Sequence, residues 1–462
     1  MKKPWYTSIV LPTLCAMLIA AGFVLTQPGE IRKDAGEYDG IARSLVSTGT
    51  FSLDGEKTML REPGYPVFRA SLYALGASTQ GILWVHVLLI GAVVFLIGIT
   101  FKELEEKNAH VAAWGAALAY GFSNYASHHY SEVWATCLVA IMGWLALRGS
   151  KTGAFKYKVL LVVVGAGLCL TRINMILVPF LLFVAVAYSA APTWSARAKT
   201  FVFFFLAWAA LLTPWIVRNG RLFQEWNITS RSGIMLHARV QDAREPLSRL
   251  GASFASVGMG QVTASALGLR PIVIQEKLRT TFWNPYNALL KDKGYTPLMA
   301  DHALRQEAIQ QLFANPRVLL AYIAWTPLEV LRLWALPSLL SPDFSIEGMF
   351  FPAWQLGQLT YARIFILGVA HSLQILFWIL LALSLYAGAK RYTWKWIPGL
   401  LFLAATIVQV PFDVIIRYGV SVQPWLWAAI AWYIAGPVWD ALRTKHKYTK
   451  LKALFLSRRS GA

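Results

Sequence analysis

From Ser8 to Thr26 the chain runs without a single charged side chain. A stretch of this length spans a bilayer's hydrocarbon core as a helix, because an unpaired backbone cannot be left in lipid. The run follows Met1, Lys2 and Lys3, and no clear small-x-small cleavage site precedes the acidic segment after it. It reads as a retained first span rather than a removed signal peptide. Comparable apolar stretches recur at about 81–100, 110–127, 131–148, 158–171, 174–190, 200–217, 363–387, 396–412 and 422–440. The expected architecture is an all-α polytopic membrane protein, a single integral domain of roughly ten crossing helices.

Composition agrees. Hydrophobic residues make up 56% of the chain and charged residues 14%, well under the quarter usual for soluble domains. Cys15, Cys137 and Cys169 all fall inside apolar runs and read as packing residues. The net charge of +20 would suit a nucleic acid, but its distribution follows a membrane instead. With the N-terminus inside, the cytoplasmic segments collect Lys2, Lys3, Lys102, Lys107, Arg148, Lys151, Lys156, Lys158, Arg197, Lys199, Lys390, Arg391 and Lys395. The basic tail, 441–462, adds more cations and suits anionic headgroups. Against these stand only Glu103, Glu105, Glu106 and Asp440. Short cationic loops stay on the cytoplasmic side, which orients the chain in the plasma (inner) membrane with both termini inside. No nucleic-acid partner is expected.

Two long segments then lie outside, 27–80 and 218–362. Within the second, Arg317 to Leu340 is apolar but carries Pro327, Glu329 and Arg332. It reads as an interfacial helix, because a crossing there would carry the basic tail outside. Leu304, Ala308 and Leu312 mark a helix ended by Asn315-Pro316. No internal repeat is visible.

The first outer segment opens with acids. Tyr38, Ile41, Ala42, Leu45 and Val46 recur at helical spacing, with Asp34 just before the helix and Glu37 in its first turn. Acids there complement the helix dipole. Glu37 and Asp39 fit either supporting acids or a solvated face. Gly49 ends the helix, and Phe51 to Met59 reads as a polar connection. Pro63-Gly64-Tyr65-Pro66 starts a second helix with a stripe of Tyr65, Phe68, Leu72 and Leu75. Arg61 stands just before it, and a guanidinium suits a lipid-borne phosphate because it is always charged and donates two parallel hydrogen bonds.

More polar residues gather at the outer ends of the spans: Asn124, His128, His129, Ser131 and Glu132; Thr171, Arg172 and Asn174; Arg218 and Asn219; Asp413, Arg417 and Tyr418. Any one alone fits an interfacial residue. Together they set four arginines and at least two acids on one side. His128 and His129 are a poor chelating pair, since neighbours on a helix point about 100° apart. Asn227-Ile228-Thr229 matches a glycosylation sequon too short to carry weight. No phosphate-binding loop of the G-x-x-x-x-G-K-S/T kind is present.

These motifs resemble bacterial membrane glycosyltransferases of the GT-C fold, in the superfamily of protein O-mannosyltransferases and aminoarabinose transferases (glycosyltransferase family 39-like). The resemblance rests on Asp34-x-x-x-Tyr38-x-x-Ile41-Ala42, Thr48-Gly49-x-Phe51, Arg61-x-Pro63-Gly64-Tyr65-Pro66, Ser131-Glu132, Thr171-Arg172-x-Asn174, Thr213-Pro214-Trp215-x-x-Arg218-Asn219 and Arg417-Tyr418. They occur in the family's order over most of the chain. Glu62 stands where proline is frequent, and no proline follows Arg172.

The resemblance implies transfer of a sugar from a polyprenyl-phosphate donor to a lipid, glycan or protein acceptor on the extracytoplasmic face, as in lipopolysaccharide or polysaccharide modification. It implies a catalytic carboxylate in the first outer loop, matched by Asp34. Glu132 is the second acid, and Arg61, Arg172, Arg417 and Arg218 are the donor-phosphate ligands expected. Glu37, Tyr38, Tyr65, Asn174 and Tyr418 would support them. No cofactor is implied, and a divalent metal is not indicated. A transporter or flippase of lipid-linked sugars, or a polysaccharide polymerase or ligase, would share the spans and outer arginines.

Overall fold

A computed structural model describes residues 7–27, 29, 31, 34–104, 108–245, 247–259, 268, 284–334, 361–389, 397–409, 416–435 and 437. In chain order the helices are α1 (Thr7–Thr26), α2 (Asp34–Thr48), α3 (Gly64–Ala74), α4 (Thr79–Leu104), α5 (Ala109–Ala117), α6 (Tyr120–Asn124), α7 (Glu132–Thr152), α8 (Phe155–Thr171), α9 (Leu177–Ala190) and α10 (Trp194–Phe223). There follow α11 (Ser232–Ala243), α12 (Ser248–Met259), α13 (Asn284–Asp292), α14 (Pro297–Ala314), α15 (Pro316–Leu333), α16 (Tyr361–Ala389), α17 (Ile397–Gln409) and α18 (Gln423–Ile430). Strands β1 (Ser52–Leu53) and β2 (Glu56–Lys57) form an antiparallel hairpin, with Ser52 opposite Lys57 and Leu53 opposite Glu56. Asp54 and Gly55 turn it at φ 52° and 85°. That is the tight hairpin turn Asp-Gly favours, where a plain connection was expected.

Four of the described helices are long and apolar enough to cross a bilayer: α1 from Ser8, α4, α7 and α10. The chain is thus an all-α protein, apart from that hairpin, whose long apolar helices fit a polytopic membrane bundle. Burial ranks them. In α7 the most apolar stretch is 72% buried, whereas in α10 it is 17% buried. α7 is therefore the central post, packed by α4, α8 and α9, while α10 sits at the edge. α1 lies along α4, where Gly91 and Gly98 meet the side chains of Met17 and Ile9. Small residues let such helices approach where lipid tails compete for every apolar contact.

Two expected spans are corrected. The stretch 110–127 is not one helix. It breaks into α5, α6 and a 3-10 turn, Tyr125–Ser127. Ala119 leaves the helical region at ψ 66°, and Gly115 is pressed against the Trp427 backbone. Alanine and glycine supply little side-chain packing to hold a straight axis, so a neighbour's position decides the path. The stretch 422–440 is not a regular helix either. A 3-10 turn, Ile416–Val422, leads into α18, and a π-helical turn, Ala431–Ala435, follows. Pro424 sits in the first turn of α18, where its missing N–H costs nothing. Trp425 and Leu426 bury completely, with the Trp425 ring against Gly143 of α7.

Beside the bundle, α11, α14 and α15 pack together. The carboxylate of Asp301 on α14 accepts hydrogen bonds from the backbone N–H of Gly233 (3.1 Å) and Ile234 (2.9 Å) at the start of α11. α15 covers most of the stretch read as interfacial, and it buries Ala321, Trp325 and Leu328 in a small core with Ala243.

Candidate functional site

The first loop is fastened to the bundle at both ends. Gly29 donates to the Ser127 carbonyl at 2.6 Å, too close for a side chain at that position. Gly64, at the start of α3, abuts Leu170 and Thr171 at the end of α8. Phe68 stacks on Trp134 of α7 at 4.3 Å. These contacts bring the loop's Arg61 and the Arg172 turn to the same end of the bundle.

α2 begins at Asp34 itself rather than one residue later. Asp34 and Glu37, one turn apart, share a face, and Arg61 reaches both. Its Nη2 donates to Asp34 Oδ1, and its Nε donates to Glu37 Oε2 at 2.5 Å. The guanidinium also lies 4.8 Å from the Tyr38 ring centre and 3.5 Å from the Tyr38 hydroxyl. Burial opposes the charge on Arg61, but Asp34, Tyr38 and Glu37 more than offset this, so its pKa rises above the usual arginine value.

A further arginine joins them. Arg231 lies just before α11. It donates to Asp34 Oδ1 at 3.2 Å and to the two Glu37 oxygens at 2.8 and 2.9 Å. No sequence pattern marked Arg231. It sits in a short polar stretch between helices, and its relation to Asp34, nearly two hundred positions away, exists only in the fold. The segment that delivers it is laced to the first loop. Thr229 donates to the Leu60 carbonyl at 3.1 Å, and Asn219 donates to the carbonyls of Asn227 and Ile228 at 2.8 and 3.2 Å.

Arg218 takes part in that lacing. It donates to the Thr58 carbonyl at 3.0 Å, the Phe51 carbonyl at 3.2 Å and the Asn219 side chain at 2.8 Å. Its guanidinium lies over Trp215 and Phe51. Here it ties the hairpin loop to α10.

Glu132 and Arg172 make a separate pair. Arg172 Nη1 donates to Glu132 Oε1 at 2.5 Å. Glu132 opens α7, and Arg172 ends α8 in an extended conformation. Ser131 and Asn174 accept further bonds from Arg172, each at 3.4 Å. Glu62 accepts from the Ile173 N–H at 3.4 Å. Tyr65 lies between the two groups. Its ring meets Tyr38 edge-on at 5.1 Å, and its hydroxyl is 3.2 Å from His86 Nε2. Burial, reinforced by Glu132 and Tyr38, outweighs the pull of Arg69 and raises the Tyr65 pKa above its ordinary range. Tyr65 is thus a neutral, fully buried anchor.

Exposure separates the acids. The Asp34 and Glu37 side chains are each 23% exposed, whereas Glu132 is 0% exposed. Asp34, Glu37 and Arg231 are the partly exposed members of their group, whereas Arg61 is 6% exposed. The side chains of Arg417 and Tyr418, and all of Asp413, lie outside the described residues. His128 is extended rather than helical, close to Ser127 and the Asn124 carbonyl, while His129 turns toward Arg69. Among the described residues, no group of three or more His, Cys, Asp or Glu side chains is placed to hold a metal ion.

In comparisons with known proteins, no family model, no curated protein and no solved structure matches this chain.

Proposed function

We propose that this chain is a membrane glycosyltransferase of the GT-C type, moving a sugar from a polyprenyl-phosphate donor to an acceptor hydroxyl on the extracytoplasmic face. One observation carries the reading. Two partly exposed carboxylates, Asp34 and Glu37, stand against two arginines, Arg61 and Arg231, where α2 begins just beyond the first apolar helix. The charge pattern of the loops supports placing this end outside, with about ten crossings and both termini in the cytoplasm.

In the reaction the acceptor oxygen attacks the anomeric carbon from the face opposite the phosphate. Asp34 accepts the acceptor's proton as the new C–O bond forms. The bond from the anomeric carbon to the phosphate oxygen breaks, and its electron pair leaves with the lipid phosphate. Arg61 and Arg231 contact Asp34 itself and so hold the base on the attacking side, and the charge that builds on the phosphate calls for a cation on the opposite side, the role expected of Arg172 and Arg417. A single displacement inverts the anomeric configuration. Glu37 holds both guanidinium groups in place. Glu132 is fully buried in its pair with Arg172, and Arg218 secures the loop that carries Arg61. The donor's tail would lie between helices, with α2 and α3 as its rim.

The test is to incubate purified protein with a defined polyprenyl-phosphate sugar and to follow release of lipid phosphate with and without acceptor. Acceptor-dependent release should vanish in Asp34→Asn while the protein still folds and inserts. Undiminished release by Asp34→Asn removes Asp34 from the role. Movement of intact lipid without bond cleavage would point to a flippase and sink the transferase reading.

A further inference from the structure

A third carboxylate on α2, Asp39, has no part in the reaction proposed above. At about 100° per residue, Asp34 and Glu37 lie roughly 60° apart, while Asp39 falls roughly 160° round from Glu37. Glu37 and Asp39 therefore flank the buried face of Tyr38, Ile41 and Ala42 on its two sides, with Asp34 at its N-terminal end.

Asp39 is tightly held. Its Oδ1 accepts from Arg69 Nη2 and from the Tyr73 hydroxyl, and its Oδ2 accepts from Arg43 Nε at 2.8 Å. Arg69 is fully buried. Its Nη2 also reaches the Tyr73 hydroxyl at 2.8 Å, and its Nη1 lies 3.2 Å from His129 Nδ1. Arg69 thus joins α2 to α3 and to the turn that leads into α7. Burial works against the Asp39 carboxylate, but the bonds from Tyr73 and Arg43 and the charge of Arg69 win, and its pKa is lowered.

A buried ion pair is a poor route to stability, since apolar residues of similar size often do as well. Its use lies in specificity. Apolar packing tolerates small rolls of a helix about its axis, whereas a carboxylate with a buried arginine tolerates few. We propose that Asp39 and Arg69 are positioning residues that set the roll of α2, so that Asp34 and Glu37 face Arg61 and Arg231 at the open edge. The catalytic half of this inference rests on the reading of Asp34 as base.

Two measurements separate the halves. In a background with Cys15, Cys137 and Cys169 changed to Ser, Val46→Cys and Leu75→Cys carry spin labels on exposed positions of α2 and just past α3. The unaltered pair should give one narrow distance distribution. Asp39→Asn and Arg69→Lys should broaden or shift it, and Arg43→Gln, which alters only the exposed partner, should not. In the lipid-phosphate assay, Asp39→Asn and Arg69→Lys should lower kcat by roughly 10²-fold, the scale of a 1 Å misplacement, with donor KM within about twofold. A distribution unmoved by both variants overturns the roll, whatever happens to activity. A shifted distribution with kcat intact overturns the link to catalysis. Absence of transfer in the unaltered chain counts against the transferase reading alone, and the roll is then judged by the distances.

Discussion

Asp34 and Glu37 meet their arginines at the rim of the bundle, whereas Glu132 meets Arg172 inside it. The first group is 23% exposed on its acids and 26% on Arg231, but only 6% on Arg61. The second is 0% exposed on its acid and 7% on its arginine. The same chemical pair therefore has two meanings. At the rim, water reaches Asp34, Glu37 and Arg231, and their pairing contributes little to stability, while Arg61 is as buried as Arg172 and keeps its charge against two carboxylates. In the interior, each charge depends on the other, because an unpaired one would be stranded without solvent. In the sequence, Asp34 reads as the base and Glu132 as the second acid. Burial makes them different.

The largest effect should fall at the rim and on activity alone. Removing a positioned base costs roughly 10²–10⁴-fold in rate. Asp34→Asn should lose that much transfer with little change in the melting temperature of detergent-solubilised protein. A large fall in melting temperature would erase the contrast with Glu132. In the interior, Glu132→Gln breaks the buried ion pair with Arg172 from one side, at a cost of about 3–5 kcal/mol. Thermal unfolding should show that loss, and Glu132→Gln combined with Arg172→Met should recover much of it. Additive losses in the double variant would mean the pair is not a closed unit.

Arg231→Ala tests the rim from its other side. The bridge is partly exposed, so stability should change by less than about 1 kcal/mol. Transfer should fall, because Asp34 and Glu37 lose one of the two guanidinium groups that hold them in place. A further effect concerns pH. Burial and the charge of Arg69 push the His129 pKa down from 6.5 to about 4. A base with a lowered folded-state pKa binds fewer protons folded than unfolded, so stability rises with pH between those values. Thermal stability should decline as pH falls from 6.5 toward about 4, and His129→Gln should flatten that decline.

Much of the site was legible because helical periodicity and turn residues are local signals. The amphipathic helix with Asp34 at its start and Glu37 in its first turn, the Pro63-Gly64 start of α3 and the polar turns at Glu132 and Arg172 all followed from spacing of a few residues. Arg69 and Arg231 were not legible. Nothing in Phe68-Arg69-Ala70 marks an arginine that will be fully buried, nor does the polar stretch before α11 mark one that reaches Glu37. Arg218 was legible as a polar residue near the end of a span, but not as a clamp on two carbonyls of the first loop. The break in 110–127 was hidden for a related reason. Apolar composition shows what a segment can be buried in, while Gly115 against Trp427 shows what it is buried against.

The sequence by itself determined the apolar helices, the acid-bearing amphipathic helix after the first of them and the asymmetric placing of positive charge. These depend on local composition and on hydrophobic period, which a chain carries before it folds. Only the tertiary structure decided which arginine faces which acid, and which pair stays open to a ligand. Those choices depend on contacts between residues far apart in the chain and on the exclusion of water, and neither exists until the helices pack.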